Sequence, residues 1–254
     1  MADLNPIQLT LVAAVFVWSG FVRSGLGFGG TVLTLPFLLL IRNEPLLFLP
    51  IIAIQLLFFS CLMWLQQWLR TRRGTATLEA GVYWPYLRKA LGIMIVPKLI
   101  GVFGLLTLPP RLMASIIFAI VGVYALSYIL DRPFKSANRA LDPLFLALGG
   151  YMSGTSLVGA PLILAVFATH VPPPKLRDTL FALWFILVLI KLAAFLLARI
   201  ELQFVHQLWL LPCAWLGHVF GLQFHDYLMH ADPKRFYRVL GCVLLLASLA
   251  GLFG

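Results

Sequence analysis

Charge is what this chain has least of. Only 11% of its 254 residues are Asp, Glu, Lys or Arg, where a soluble domain carries about 25%. Hydrophobic residues make up 61%. That balance excludes an ordinary water-soluble enzyme and an open, disordered chain, since neither keeps so much apolar surface in water. Long polar stretches are missing too, so no second, soluble domain is expected. The three cysteines, Cys61, Cys213 and Cys242, lie far apart in apolar runs with no CxxC spacing. Buried thiols are expected there, and neither a disulfide nor a metal site. No His-x3-His spacing, phosphate loop or nucleotide motif occurs. The Gly-x-Ser-Gly tetrapeptide of intramembrane serine proteases is absent around both Ser24 and Ser153. No cofactor is expected. The apolar run from Pro6 follows an acidic residue, Asp3, and leads into a Gly-rich segment, a poor fit to a cleavable signal peptide.

What remains is long apolar runs. Segments 45–69, 86–106, 110–130, 175–198, 205–228 and 235–253 each hold enough apolar residues to span a bilayer as a helix, which takes about 20. Four other pieces are shorter: 6–22 is borderline, and 29–41, 142–153 and 158–170 fall well short. Each pair of short pieces is joined by a Gly-rich break, Gly25 to Gly30 in the first and Gly154 to Gly159 in the second. A short helix, a glycine turn and another short helix predict a re-entrant hairpin, whose tip is tolerated at membrane depth only inside protein or beside a cavity. Half-helices are predicted to start near Gly29 and near Val158, with Gly30 and Gly159 in equivalent places.

The pairs read as copies. Gly20 and Gly149, Ser24 and Ser153, Gly25 and Gly154, Gly30 and Gly159, and Pro45 and Pro174 are all 129 residues apart. Farther on the spacing falls to 120, which sets Lys98 against His218 and Gly101 against Gly221. Two membrane repeats follow, 1–130 and 131–254, each a hairpin plus three spans. An odd number of crossings inverts the second copy. Charge agrees. Arg70, Arg72, Arg73, Arg88 and Lys89 mark the loop at 70–89 as cytoplasmic, while its counterpart at 199–206 holds only Arg199 and Glu201. The net charge of +10 is then read as membrane orientation, with no nucleic-acid partner. Both termini fall outside. The fold class is all-α integral membrane with an inverted-topology repeat.

Inverted repeats with broken helices are the signature of secondary transporters. A break exposes unpaired backbone N–H groups and the positive end of a helix dipole, which suits an anion. Charge buried in the apolar segments agrees, because Lys98, Arg23 and Lys191 are basic, His218 is titratable, and no carboxylate lies mid-span. Candidate substrate-binding residues are Arg23, Ser24, Gly25, Gly27, Gly29, Gly30, Thr31, Lys98, Ser153, Gly154, Thr155, Gly159, Lys191 and His218. Competing roles stay open: helix packing for the glycines, as for Gly217-x3-Gly221, and snorkelling for Lys191.

At these residues a family comes into view. Gly27-Phe28-Gly29-Gly30-Thr31-Val32-Leu33-Thr34-Leu35-Pro36 resembles the first-repeat signature of the TauE/SafE sulfite exporter family. Ser153-Gly154-Thr155-Ser156-Leu157-Val158-Gly159-Ala160-Pro161 resembles its second-repeat counterpart. Thr31 stands where a third glycine is common, and Leu157 where the second copy often has glycine. The resemblance implies passage of sulfite, sulfoacetate or other organosulfonates across the bacterial inner membrane, with both motifs lining the path. It also favours export.

The expected protein is therefore a transporter of small sulfur-containing anions, partnered by substrate and bilayer, as a monomer or homodimer. A sulfonate offers three acceptor oxygens and one charge, which helix-end N–H groups and one Lys or Arg would match. A proton carried by His218 and passive flow down the membrane potential both fit as coupling. The alternative class is a non-transporting membrane enzyme or assembly scaffold.

Overall fold

The computed structural model describes residues 4–26, 30–72, 81–132, 134, 140–228 and 233–253. Among them every regular element is an α-helix: α1 (Pro6–Leu26), α2 (Leu35–Ile41), α3 (Pro45–Arg72), α4 (Trp84–Thr107), α5 (Pro110–Ile129), α6 (Asp142–Ser156), α7 (Ala160–His170), α8 (Pro173–Leu197), α9 (Phe204–Leu228) and α10 (Pro233–Phe253). All of them except α9 carry a proline at their first or second position. Proline suits that place, where its missing N–H has no helical partner to lose and its fixed φ is already helical. Proline thus sets where these helices begin.

Over their described residues α1, α3, α4, α5 and α8 are long and apolar enough to cross a membrane. The chain is a multi-pass integral membrane protein. Its surface is inverted relative to a soluble fold. Leu197, Leu208 and Phe253 are 86%, 79% and 87% exposed, while Lys98 and Lys191 are 0% exposed. The cysteines follow the same inversion and correct the sequence reading, since Cys61 and Cys242 are exposed and Cys213 is half-buried. In a membrane chain an apolar run does not have to face the protein interior.

Two helix pairs organise the bundle. α1 packs along α9, and α4 along α6. Glycine makes both contacts possible. A Cβ on Gly20 would strike the carbonyl of Ala214, and one on Gly217 the carbonyl of Val17. In the other pair, a Cβ on Gly150 would lie 2.7 Å from Met94 O, and one on Gly154 would strike Lys98 O. Steps of four residues match on both helices of each pair (20 to 214 and 24 to 218; 150 to 94 and 154 to 98), so both pairs run parallel. α5 packs on α10, and α3 on α8. The packing role left open for Gly217 is the one the structure displays.

The short helices lie between these pairs. Gln8 Nε2, near the start of α1, donates to Ile41 O at the end of α2, at 3.5 Å. Asp142 Oδ2, at the start of α6, pairs with His170 Nε2 at the end of α7, at 2.5 Å. Each hairpin therefore begins and ends side by side. The hairpins are unequal, and this departs from the sequence reading. α6 and α7, with 15 and 11 residues, reach about 22 and 16 Å at 1.5 Å per residue, short of a roughly 30 Å core. α1 runs a full 21 residues to Leu26, past the end of the borderline apolar piece 6–22 read from the sequence. The Arg23 guanidinium is accommodated over the ring of Phe59, 4.7 Å from the centroid.

Candidate functional site

The breaks meet. A cavity of about 80 Å³ is walled by Arg23, Gly30, Thr31 and Val32 from the first and by Ser153, Leu157 and Ala160 from the second. Leu56 and Ser60, midway along α3, and Trp184 and Leu187, in the middle turns of α8, close it. One probe sphere of such volume, about 10–15 Å³, already admits a water, so a small oxyanion has room.

The two breaks differ in construction. In the second, Leu157 ends α6 with φ 60°, and its N–H bonds Ser153 O at 3.3 Å. Gly159 then caps α7, which starts at Ala160 on the cavity wall, close to the expected Val158. Residues in the first turn of a helix have N–H groups with no helical acceptor, although Pro161 has none to offer. Gly159 serves close packing, since a Cβ there would strike the carbonyl oxygen of Gly149 and lie 3.0 Å from its carbon. In the first break, Gly30 is not at a helix start. Residues 30–34 form a turn, held by Thr34 Oγ1 on Gly30 O at 2.5 Å and Leu35 N on Thr31 O at 3.0 Å. α2 begins only at Leu35, one residue before Pro36, just as α7 begins one residue before Pro161. Proline, not glycine, sets both starts, which is why the half-helix expected near Gly29 is displaced. Gly27 and Gly29 lie outside the described residues, and Gly25 falls in the last turn of α1.

Arg23 carries the unsatisfied charge. Its Nε and Nη1 are buried and have no hydrogen-bond partner among the described residues. It stands in the last turn of α1, where the helix dipole favours a cation. Phe59 supports the guanidinium from one face. Gly30 keeps the other approach clear, since a Cβ there would sit 3.4 Å from Arg23 Nε.

Several of the other expected residues are tied up in hydrogen bonds away from the cavity wall. Lys98 Nζ donates to Ser153 Oγ at 3.1 Å and approaches Ser153 O at 3.4 Å. Ser153 Oγ accepts that bond and keeps its own proton to donate elsewhere. Ser24 Oγ hydrogen-bonds His218 Nδ1. These two contacts join residues that the 129 and 120 spacings relate, Ser24 with Ser153 and His218 with Lys98. Lys191 does not snorkel: its Nζ donates to Gly154 O at 2.8 Å and Thr155 O at 3.1 Å. Thr155 Oγ1 is turned back to Met152 O at 3.2 Å. Of the candidate residues, then, Arg23, Gly30, Thr31 and Ser153 line the cavity, whereas Ser24, Lys98, Gly154, Thr155, Gly159, Lys191 and His218 are not on its wall.

The sequence reading missed Ser60, Phe59, Leu157 and Trp184. Ser60 carried a signal, a hydroxyl deep in the apolar run of α3. The aromatic residues carried none, because such rings are everywhere in this chain.

A larger cavity, about 480 Å³, opens where α4 and α6 begin and α7 ends, between Tyr86, Lys89, Asp142 and His170. Its acid and its histidine satisfy each other, and Tyr86 stacks on His170 at 4.9 Å. Of the two, the smaller cavity joins both breaks to a guanidinium whose Nε and Nη1 have no partner among the described residues, so it is the better candidate.

Comparison with known families settles the kinship. The family model described as sulfite exporter TauE/SafE matches residues 11–251. This chain belongs to the TauE/SafE family. Neither the curated proteins nor the solved structures include a match. TauE/SafE membership makes it an anion-exporting membrane transporter by family, and the two Gly-rich breaks fall within the matched region.

Proposed function

We propose that this protein exports sulfite or a small organosulfonate such as sulfoacetate, held at mid-depth between the two breaks. The observation that carries the reading is the buried Nε and Nη1 of Arg23, which have no partner among the described residues, beside a cavity that both breaks wall. A buried charged donor without a partner is costly, and an anion with three acceptor oxygens relieves it. The first turn of α7 and the Ser153 hydroxyl, polarised by Lys98, supply further donors on the opposite wall.

The finer architecture belongs to the same proposal. Repeats 1–130 and 131–254 are inverted copies, supported by the matching α1–α9 and α4–α6 pairs and by the Ser24–His218 and Lys98–Ser153 contacts. The second hairpin is re-entrant, supported by the lengths of α6 and α7 and by a cavity level with the middles of α3 and α8, whereas α1 of the first is long enough to cross. Loop charge supports a bacterial inner membrane orientation with both termini outside.

The test is flux through purified protein in liposomes, with labelled sulfite, sulfoacetate and taurine offered separately. Saturable flux of a sulfur-containing anion is expected. Its absence for all three, in folded and inserted protein, overturns the proposal.

A further inference from the structure

The carbonyl end of α6 is the least expected feature of the interior. Where a helix stops, its last carbonyls lose their helical donors and the dipole leaves about half a negative charge there. In water this costs little. Deep in a membrane protein those carbonyls need a donor or a cation. Transporters with broken helices commonly meet that need with a coupling Na⁺ held by the unwound carbonyls and half-helix C-terminal ends.

Here the position is filled from within. Three consecutive carbonyls of the last turn, Ser153, Gly154 and Thr155, each face a lysine ammonium; Ser153 O also keeps its helical bond from Leu157 N, and Gly154 O and Thr155 O accept bonds from Lys191. Lys191 Nζ lies 2.8 Å from Gly154 O and 3.1 Å from Thr155 O, and Lys98 Nζ lies 3.4 Å from Ser153 O. The two lysines come from different helices, α8 and α4, and both are 0% exposed. Neither makes an ion pair with a carboxylate among the described residues, where Glu44 pairs with Arg42 and Asp142 with His170. No cluster of acidic, histidine or cysteine ligands occurs among them either. Two buried cations gathered on one run of carbonyls are positioned as ligands of that helix end.

We infer that Lys98 and Lys191 stand in for the coupling cation at the broken end of α6, so that this protein neither binds nor draws on sodium. The amino groups are tethered in the chain and aimed at the acceptors a metal ion would otherwise take. Removing one leaves carbonyls that accept a free cation of matching shape. The flux consequence rests on the transport reading above; the binding consequence does not.

The experiment has a wild-type arm and a variant arm. Purified wild-type protein is melted in sodium chloride and in choline chloride at equal ionic strength. An unchanged melting temperature is expected, and a saturable rise with sodium overturns the inference. Flux of labelled sulfite is then compared in the same two salts on both sides of the membrane; equal rates are expected, and a sodium requirement overturns it. Lys191→Ala removes three methylenes and the ammonium, the shape of propylammonium. It is expected to melt lower than wild type and to recover in a saturable manner with propylammonium but not with choline. Lys191→Met, which fills the space with an apolar chain, is expected to show no such recovery. Recovery equal in all three proteins overturns the inference. If Lys191→Ala does not fold, Lys98→Ala takes its place, and the wild-type melt decides where neither folds. Loss of sulfite flux in every salt would count against the transport reading only, leaving the melts to judge this one.

Discussion

Replacing Arg23 with methionine separates binding from folding. The guanidinium offers two buried donors, Nε and Nη1, with no partner among the described residues. Each hydrogen bond involving a charged group contributes about 1.5–3 kcal/mol. Two of them put the loss at about 3 kcal/mol at its low end, and with 1.4 kcal/mol per tenfold the dissociation constant for sulfite rises on the order of a hundredfold. Stability moves the other way. Methionine keeps much of the volume, packs its sulfur against the ring of Phe59 and removes a buried charge, a change that is often neutral or stabilising. The anion-free variant is therefore expected to melt at or above the wild-type temperature. Arg23→Lys keeps a charge but loses the planar fork, so it is expected to fall between the two. Equilibrium binding in detergent together with a thermal melt reads both quantities. An unchanged dissociation constant in folded Arg23→Met would refute the reasoning, and a lower melting temperature with intact binding would make Arg23 a structural residue.

The two equivalent glycines are expected to respond differently. Gly159→Ala puts a Cβ onto the Gly149 backbone, so it is expected to cost about 1–3 kcal/mol of stability, read as a lower melting temperature. Gly30→Ala meets only the Arg23 side chain, at ordinary contact distance, so it is expected to fold normally and to lose flux. Equal melting temperatures in both variants would contradict this difference. Leu157 holds φ 60° on the cavity wall; Leu157→Gly releases about 1–2 kcal/mol of left-handed strain while opening the cavity. Sulfoacetate flux is expected to rise relative to sulfite flux in a competition assay, and an unchanged ratio would mean that Leu157 does not set the size limit. Lys98→Ala frees the Ser153 hydroxyl to turn, and is expected to weaken sulfite binding less than Arg23→Met does; equal or larger losses would place the ammonium in direct contact with the anion.

Much of the helix pattern was legible because the signals that set it are local. Apolar length, and proline at the first turn, mark the ends of α4, α5, α8 and α10 to within about two residues, the usual scatter of helix boundaries, and the end of α3 to within three. The meeting of the two breaks was legible from one shared spacing. Less legible was the partner of each charge. Lys98 and Arg23 look alike in sequence, each a lone cation in an apolar run. Yet the Lys98 ammonium reaches a serine and a helix end, while the guanidinium of Arg23 is left facing a cavity. That difference depends on which helix packs where, and α4–α6 and α1–α9 are pairings over long sequence separations. The start of α2 was misplaced for a local reason: glycines invite a break, but Pro36 decides where the helix resumes.

The asymmetry between the two breaks has a physical logic. Lys98 bonds Ser153 across the α4–α6 pair, and His218 bonds Ser24 across the α1–α9 pair. Lys191 has no basic mate, because the position 129 residues earlier is Leu62. The second break therefore has its carbonyl end filled by two cations and its helix restart at the cavity wall. The first has a turn at the cavity wall, with α2 restarting only at Leu35, and a guanidinium whose Nε and Nη1 have no hydrogen-bond partner among the described residues. A symmetric site carrying lysines on both breaks would gather more positive charge than one small anion neutralises, and the surplus would be repelled in a medium that screens poorly. A symmetric site with neither would give an anion no reason to leave water. Dividing the work places the guanidinium on one break and the helix-end donors of α7 on the other, while the two lysines are held on the carbonyl end of α6, off the cavity wall. On that argument Arg23 and the first turn of α7 act on opposite sides of the same substrate, and the double change Arg23→Met with Leu157→Arg, which moves the cation to the other wall, is expected to restore binding that Arg23→Met alone has lost. A folded double variant with no recovery would show that the position of the charge, and not only its sign, is fixed by the first break.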